Sequence, residues 1–209
     1  MAQVAERVFV RDEAPPGDRV VRHAGIDRLF HWLTAAAVLT LMATGLLPVL
    51  GVKFDWVVIH WVVGVVLVLL TLFHIVRALF WQKPKCMYAL SGDELAGRKV
   101  TKYTVAQKLM HHAMTVMILA AVITGCFMLL KMDTPLWKRD PYVLSQATWG
   151  VIYVIHGAAA TLAITLVMVH VYFAIIPEKR MYLRAMIKGW LTREEVEEHH
   201  TAPRADKKT

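Results

Sequence analysis

PYVLSQATWGVIYVIHGAAATLAITLVMVHVYFAIIP, residues 141–177, runs for 37 residues without an Asp, Glu, Lys or Arg. A helix of about 20 apolar residues crosses the hydrocarbon core of a bilayer, so this stretch is more than long enough to span one. Three further charge-free runs, 29–52, 56–76 and 109–130, precede it. Together the four cover about half of the 209 residues, and all 24 Lys and Arg and all 16 Asp and Glu fall in the remainder. Charge segregated in this way marks an all-α integral membrane protein with four transmembrane helices. It excludes intrinsic disorder, a small disulfide scaffold and an ordinary nucleic-acid-binding domain.

Uniformly apolar runs of this length are helices, because a helix satisfies its own backbone and a barrel strand is half as long and alternates. The helices are expected at about 29–51, 55–81, 106–130 and 146–176. They leave a tail at 1–28 and, at 177–209, an amphipathic segment followed by a polar end. The first run is expected to be a retained span, since its small residues Ala35, Ala36 and Ala37 lie near its start, away from any cleavage position at its far end. Cys86 and Cys126 fall in a loop and in a span and are not expected to pair. There is no C-x-x-C-H for covalent haem and no cysteine quartet for an iron–sulfur cluster.

Lysine and arginine sort by side. The two tails and the connection from Arg77 to Lys108 hold 20 of them, whereas the connections at Lys53 and at 131–140 hold four. The positive-inside rule therefore puts both termini and the connection between the second and third helices in the cytoplasm. The +8 net charge is mostly this bias, with attraction to anionic membrane lipid rather than nucleic acid as its consequence. Met181, Met186, Ile187, Trp190 and Leu191 among Arg184, Lys188 and Arg193 form the amphipathic segment expected at the cytoplasmic surface, an ordinary solvated helix being the alternative.

Ten histidines carry the functional signal, and seven lie within or beside the spans: His31, His60, His74, His111, His112, His156 and His170. An imidazole in lipid is costly unless something binds it. His156 and His170 are 14 residues apart, close to four helical turns, so they share one face of the fourth helix about 21 Å apart. His60 and His74 repeat the spacing on the second helix. Two ligands at two depths suit a pair of stacked haems, each iron taking two axial imidazoles from facing helices. Depth matches His60 with His156 on the outer side. On the inner side His170 has His31, His74 and the His111–His112 pair at its level, and spacing alone does not choose among them. Small residues stand one turn beyond His31, His60, His156 and His170, namely Ala35, Gly64, Ala160 and Ala174, with Ala78 beyond His74. A porphyrin needs such room.

These residues resemble the gamma subunit of membrane-bound respiratory formate dehydrogenases, a di-haem b cytochrome within the wider family of bacterial b-type cytochromes that serve nickel–iron hydrogenases and thiosulfate reductases. The resemblance rests on Asp27-Arg28-Leu29-Phe30-His31-Trp32, His60 with Gly64, Tyr103 and Gln107-Lys108, and Thr124-Gly125. It continues in His156-Gly157-Ala158-Ala159, His170-Val171-Tyr172, Ile187-Lys188-Gly189 and His199-His200, and spans about residues 22–200. It implies a four-helix bundle holding two haem b groups, His60 and His156 ligating the outer haem and His31 and His170 the inner one. It implies an iron–sulfur subunit and a molybdenum- or tungsten-containing catalytic subunit as partners. Electrons would pass from the periplasmic side to a quinone, menaquinone or ubiquinone, beside the inner haem.

The family lines its quinone pocket with the segment before the third helix. Here that segment is Thr104-Val105-Ala106-Gln107-Lys108, with Thr104 and Ala106 where the family favours an Asn and a Gly. Its hydroxyl, amide and early-helix N–H groups suit a quinone carbonyl beside His170, and His111 and His112 suit a proton relay. His74, His111 and His112 are additions to the formate-dehydrogenase pattern, and His74 is the alternative inner ligand. Two readings from other classes compete: a membrane transporter binding a metal through its histidines, and a passive anchor for a soluble enzyme. No Asp or Glu lies inside any span to help bind a cation, which disfavours the transporter.

Overall fold

The structure is a computed structural model that describes residues 16–81, 89, 92–95, 103–135 and 137–200. The expected polar end at 201–209 and Cys86 lie outside the described residues. Four long helices dominate: α1 (Gly25–Leu46), α2 (Trp56–Phe80), α3 (Val105–Leu129) and α4 (Gln146–Ile175). All four are long and apolar enough to cross a membrane, and the chain is a mostly helical, multi-pass membrane protein.

Helix ends follow capping chemistry rather than charge. α1 starts at Gly25, ahead of the charge-free run, with Asp27 in its first turn, where a carboxylate complements the helix dipole. It stops at Leu46, short of the expected 51, because Pro48 cannot continue it and Gly51 closes the following turn at φ 85°. α3 opens on a reciprocal cap. The Gln107 N–H donates to Thr104 Oγ1 at 3.3 Å, and the Thr104 N–H donates to Gln107 Oε1 at 3.0 Å. α4 opens on Ser145, whose Oγ accepts the Thr148 N–H at 3.2 Å.

The chain divides into two compact units. The transmembrane unit comprises His31–Gln82 and His112–Met168. Its core is Ala37, Val38 and Leu67, packed by Leu41, Met42, Val63, Leu70, Ile118, Val122 and Val167, so all four helices contribute. The seam is thin. Lipid tails are as apolar as leucine, so helix association here depends on small residues and interhelical hydrogen bonds rather than on hiding oil from water. Large side chains such as Leu69, Val154 and Met168 accordingly face outward. The connection between α3 and α4 is pinned by its own polar atoms: Trp137 Nε1 donates to Leu129 O at 3.1 Å, Asp140 N to Leu130 O at 2.8 Å, and Trp149 Nε1 to Pro141 O at 3.0 Å. Lys131 lies over the rings of buried Trp149 and of Tyr153, at 4.9 and 5.2 Å.

The second unit, Met1–Phe30, Lys83–His111 and Val169–Thr209, is basic. The sequence predicts a tail at 1–28 and an amphipathic segment with a polar end at 177–209, with no pairing between them. Instead β1 (Arg19–Val21) pairs antiparallel with β2 (Trp190–Thr192), Val20 opposite Leu191. Helices α5 (Arg180–Lys188) and α6 (Arg193–His200) flank β2. The amphipathic segment turns Met181 and Ala185 onto Leu191, Tyr182 and Val196, so its apolar face makes a small core while Ile187 stays exposed. Gly189 makes the junction at φ 95°. Its carbonyl accepts from the Arg22 and His23 N–H groups, and a Cβ there would meet His23 O and Arg28 Cζ at 3.2 Å. Thr192 and Glu195 form a second reciprocal cap, and buried Glu195 also pairs with Arg184. Arg19 and Arg184 both lie over the Trp190 ring, at 4.4 and 5.0 Å. Arg22 lies over Tyr103 and Tyr182, at 5.5 and 6.0 Å. Burial pushes the Arg22 guanidinium below its ordinary value against the pull of the two tyrosines, and burial pushes the Tyr182 phenol up.

Candidate functional site

Two histidines meet in the transmembrane unit. His60 stands in the second turn of α2 and His156 in the third turn of α4. Their ring centroids are 6.3 Å apart and their planes are inclined at 68°. Both side chains are partly buried, and Trp56, one turn before His60, meets that ring edge-on at 6.2 Å.

Each imidazole is held from behind by a threonine. Thr44 Oγ1 on α1 lies 2.8 Å from His60 Nδ1, and Thr124 Oγ1 on α3 lies 2.9 Å from His156 Nδ1. Both threonines are buried. Their hydroxyls also reach back along their own helices: Thr44 donates to Thr40 O at 2.8 Å, and Thr124 to Ala120 O at 2.6 Å. The residue after each threonine is glycine. A Cβ on Gly45 would come within 3.7 Å of His60 Cε1, and one on Gly125 within 3.4 Å of His156 Cε1. Each ring edge therefore packs directly against the glycine of the neighbouring helix. The α1–α2 and α3–α4 halves thus repeat one arrangement.

The family model for prokaryotic cytochrome b561 matches residues 22–189, which covers this site and most of both units. The chain belongs to the prokaryotic cytochrome b561 family. Among curated relatives, it is 22% identical to the formate dehydrogenase cytochrome b556 subunit of Haemophilus influenzae over 204 residues, 87% of this chain and 81% of that one. It is 24% identical to the formate dehydrogenase cytochrome b556(fdo) subunit of Escherichia coli K12 over 207 residues, 88% and 90% of the two chains.

A b561-family cytochrome implies haem b, and the His60–His156 pair fits it on its own geometry. Two imidazoles on facing helices, brought close to one another, are the groups that would hold it. The observed separation is 6.3 Å. At Gly64, one turn beyond His60, a Cβ would meet no atom within 4 Å, which leaves the room a macrocycle edge needs. A bare cation would ask for about four side-chain ligands. Among the described residues no group of three or more His, Cys, Asp or Glu comes together to supply them.

The remaining histidines of this cytochrome divide between the units. His31, His74 and His112 belong to the transmembrane unit, and His111 and His170 to the basic unit. His31 packs edge-on against Trp32, ring centroids 5.1 Å apart. In the basic unit, Thr104 and Gln107 spend their facing atoms on the α3 cap, Ala106 is exposed, and buried Lys108 donates from Nζ to Ala89 O at 2.8 Å.

Sequence reasoning carried Thr124-Gly125 only through family resemblance, and it missed Thr44 and Gly45. The available signal was the Thr-Gly dipeptide itself, present in both the first and the third span.

Proposed function

We propose that this chain is the di-haem cytochrome b membrane subunit of a formate dehydrogenase, passing electrons from a periplasmic iron–sulfur subunit to a quinone. The observation that carries the reading is the facing His60–His156 pair, ring centroids 6.3 Å apart, each ring backed by a threonine. Similarity to two formate dehydrogenase cytochrome b556 subunits over nearly the whole chain supports the choice of enzyme. The bound haems would supply one-electron redox chemistry at two depths. His60 and His156 hold the outer one, and His31 and His170 the inner one, with both termini in the cytoplasm of a bacterial cell.

The chain's own residues have three tasks. The histidines bind and orient. The pinned α3–α4 connection, which exposes Lys138, Arg139, Tyr142 and Val143, offers a fixed platform for the iron–sulfur subunit beside the outer pair. The entry to α3 serves quinone. The Thr104–Gln107 cap engages Gln107 through Oε1, so its amide N–H group is the donor assigned to a quinone carbonyl over exposed Ala106. His111 and His112 pass protons from the cytoplasmic side. Electrons arriving from outside and protons from inside make the step electrogenic.

The test is a reduced-minus-oxidised spectrum of membranes containing the chain, with haem counted per polypeptide. About two low-spin b haems per chain are expected, and a colourless protein would overturn the reading. Co-purification followed by mass spectrometry then identifies the partner. A nickel–iron hydrogenase or a thiosulfate reductase in place of formate dehydrogenase subunits would keep the cytochrome and replace the enzyme.

A further inference from the structure

We propose that Thr44 and Thr124 are positioning residues that lock His60 and His156 in the Nδ1–H tautomer and set the reduction potential of the outer haem. The inference rests on the reading of these histidines as axial ligands. Its own evidence is the position of each hydroxyl.

A threonine hydroxyl has one hydrogen to give. Thr44 lies 2.8 Å from Thr40 O and 3.2 Å from Leu41 O, and Thr124 lies 2.6 Å from Ala120 O and 3.1 Å from Ala121 O. Helix carbonyls within reach can take both hydrogens, and a neutral imidazole that binds a metal through Nε2 carries its own hydrogen on Nδ1, so toward the imidazoles the two oxygens are assigned as acceptors. The groups that donate to them are His60 Nδ1–H at 2.8 Å and His156 Nδ1–H at 2.9 Å. A neutral imidazole with its hydrogen on Nδ1 carries its lone pair on Nε2. Both rings are thereby prepared as ligands through Nε2, and rotation about the side chain costs a buried hydrogen bond.

The acceptor does more than hold the ring. An imidazole whose distal N–H is hydrogen-bonded is a more basic ligand. A more basic ligand favours the ferric over the ferrous state, so each threonine lowers the potential of the iron it backs. The two sites differ in one respect: His156 also has the Ala121 carbonyl as a hydrogen-bond partner, so the larger change is expected at Thr44. Removing a partner of this kind typically costs ten- to a hundred-fold in metal affinity or activity.

The experiment uses the intact complex in membranes and a redox titration of the b-haem absorbance. Thr44→Val and Thr124→Val keep the side-chain shape and remove the acceptor. Each should retain both haems and raise the midpoint of the outer haem by about a tenfold change in its oxidised-to-reduced ratio, which is about 59 mV for one electron. Thr44→Ser and Thr124→Ser keep the hydroxyl and should titrate as the parent does. Thr40→Val, which removes a hydroxyl that donates to Ala36 O, serves as the control and should change nothing.

If a valine variant loses the outer haem while the matching serine variant keeps it, the hydroxyl is still the required group and the proposal stands. Unchanged midpoints in both valine variants with both haems present overturn it. So does equal loss of haem in the valine and serine variants, which would make the site one of packing alone. Failure of the underlying reading looks different: His60→Ala would then leave both haems in place.

Discussion

The two units of this cytochrome hold themselves together by opposite means. The transmembrane unit has a thin seam of Ala37, Val38 and Leu67, and a few buried polar contacts at Thr44, His60, Thr124 and His156. The basic unit has a compact apolar knot of Met181, Ala185 and Leu191, framed by arginines on aromatic faces and a buried Arg184–Glu195 pair. The difference follows the solvent. Water rewards the burial of Met181 and Leu191, so the basic unit can build a core from few residues. Lipid gives no such reward, so specificity between helices falls to close backbone approach and hydrogen bonds. In the first unit the His60–His156 pair and its threonines are therefore also part of what joins the helices.

The largest effect should come from breaking the first side of that contrast. His60→Ala and His156→Ala should each abolish the outer haem and leave the inner one, halving the haem-to-protein ratio. His31→Ala or His170→Ala should instead remove the inner haem. His74→Ala should remove neither, and loss of the inner haem in that variant would move the inner ligand from α1 to α2.

Next in size is the buried ion pair of the basic unit. Glu195→Ala leaves Arg184 without its carboxylate and the Thr192 N–H without its acceptor, and should destabilise that unit by about 3 kcal/mol. Limited proteolysis should show cleavage around 180–200 with the b-haem spectrum intact. A changed outer-haem spectrum would show that the units do not keep their work apart.

Gly189→Ala should cost about 1–2 kcal/mol, since it combines a left-handed φ with a Cβ contact at 3.2 Å to the His23 carbonyl. The same assay reads it, as earlier onset of cleavage on warming. The smallest effect is expected of Thr104→Ala, which removes half of the α3 cap for about 1 kcal/mol. Quinol formation should fall with it while both haems remain reducible, because the cap also presents Gln107. Full retention of quinol formation would detach the α3 entry from the quinone.

The sequence by itself determined the four spans, because an unpaired charge in lipid is too costly to hide and its absence over 37 residues is legible in one dimension. It also determined that His60 and His156 could share a depth, because helical rise turns residue number into distance along an axis. The helix ends were less legible. Charge marks where lipid begins, whereas Pro48, Gly51 and the Thr104–Gln107 cap mark where hydrogen bonding changes partners. Only the tertiary structure decided what stands behind each histidine. Thr44 is 16 residues from His60 and Thr124 is 32 from His156, and nothing in a helix's own period relates positions on different helices. The same holds for the strand pair. Val20 meets Leu191 across almost the whole chain, and three-residue strands carry too short a pattern to announce themselves. Long-range pairing is a property of the folded arrangement, in which small residues let helices approach closely enough for a hydroxyl to reach a ring.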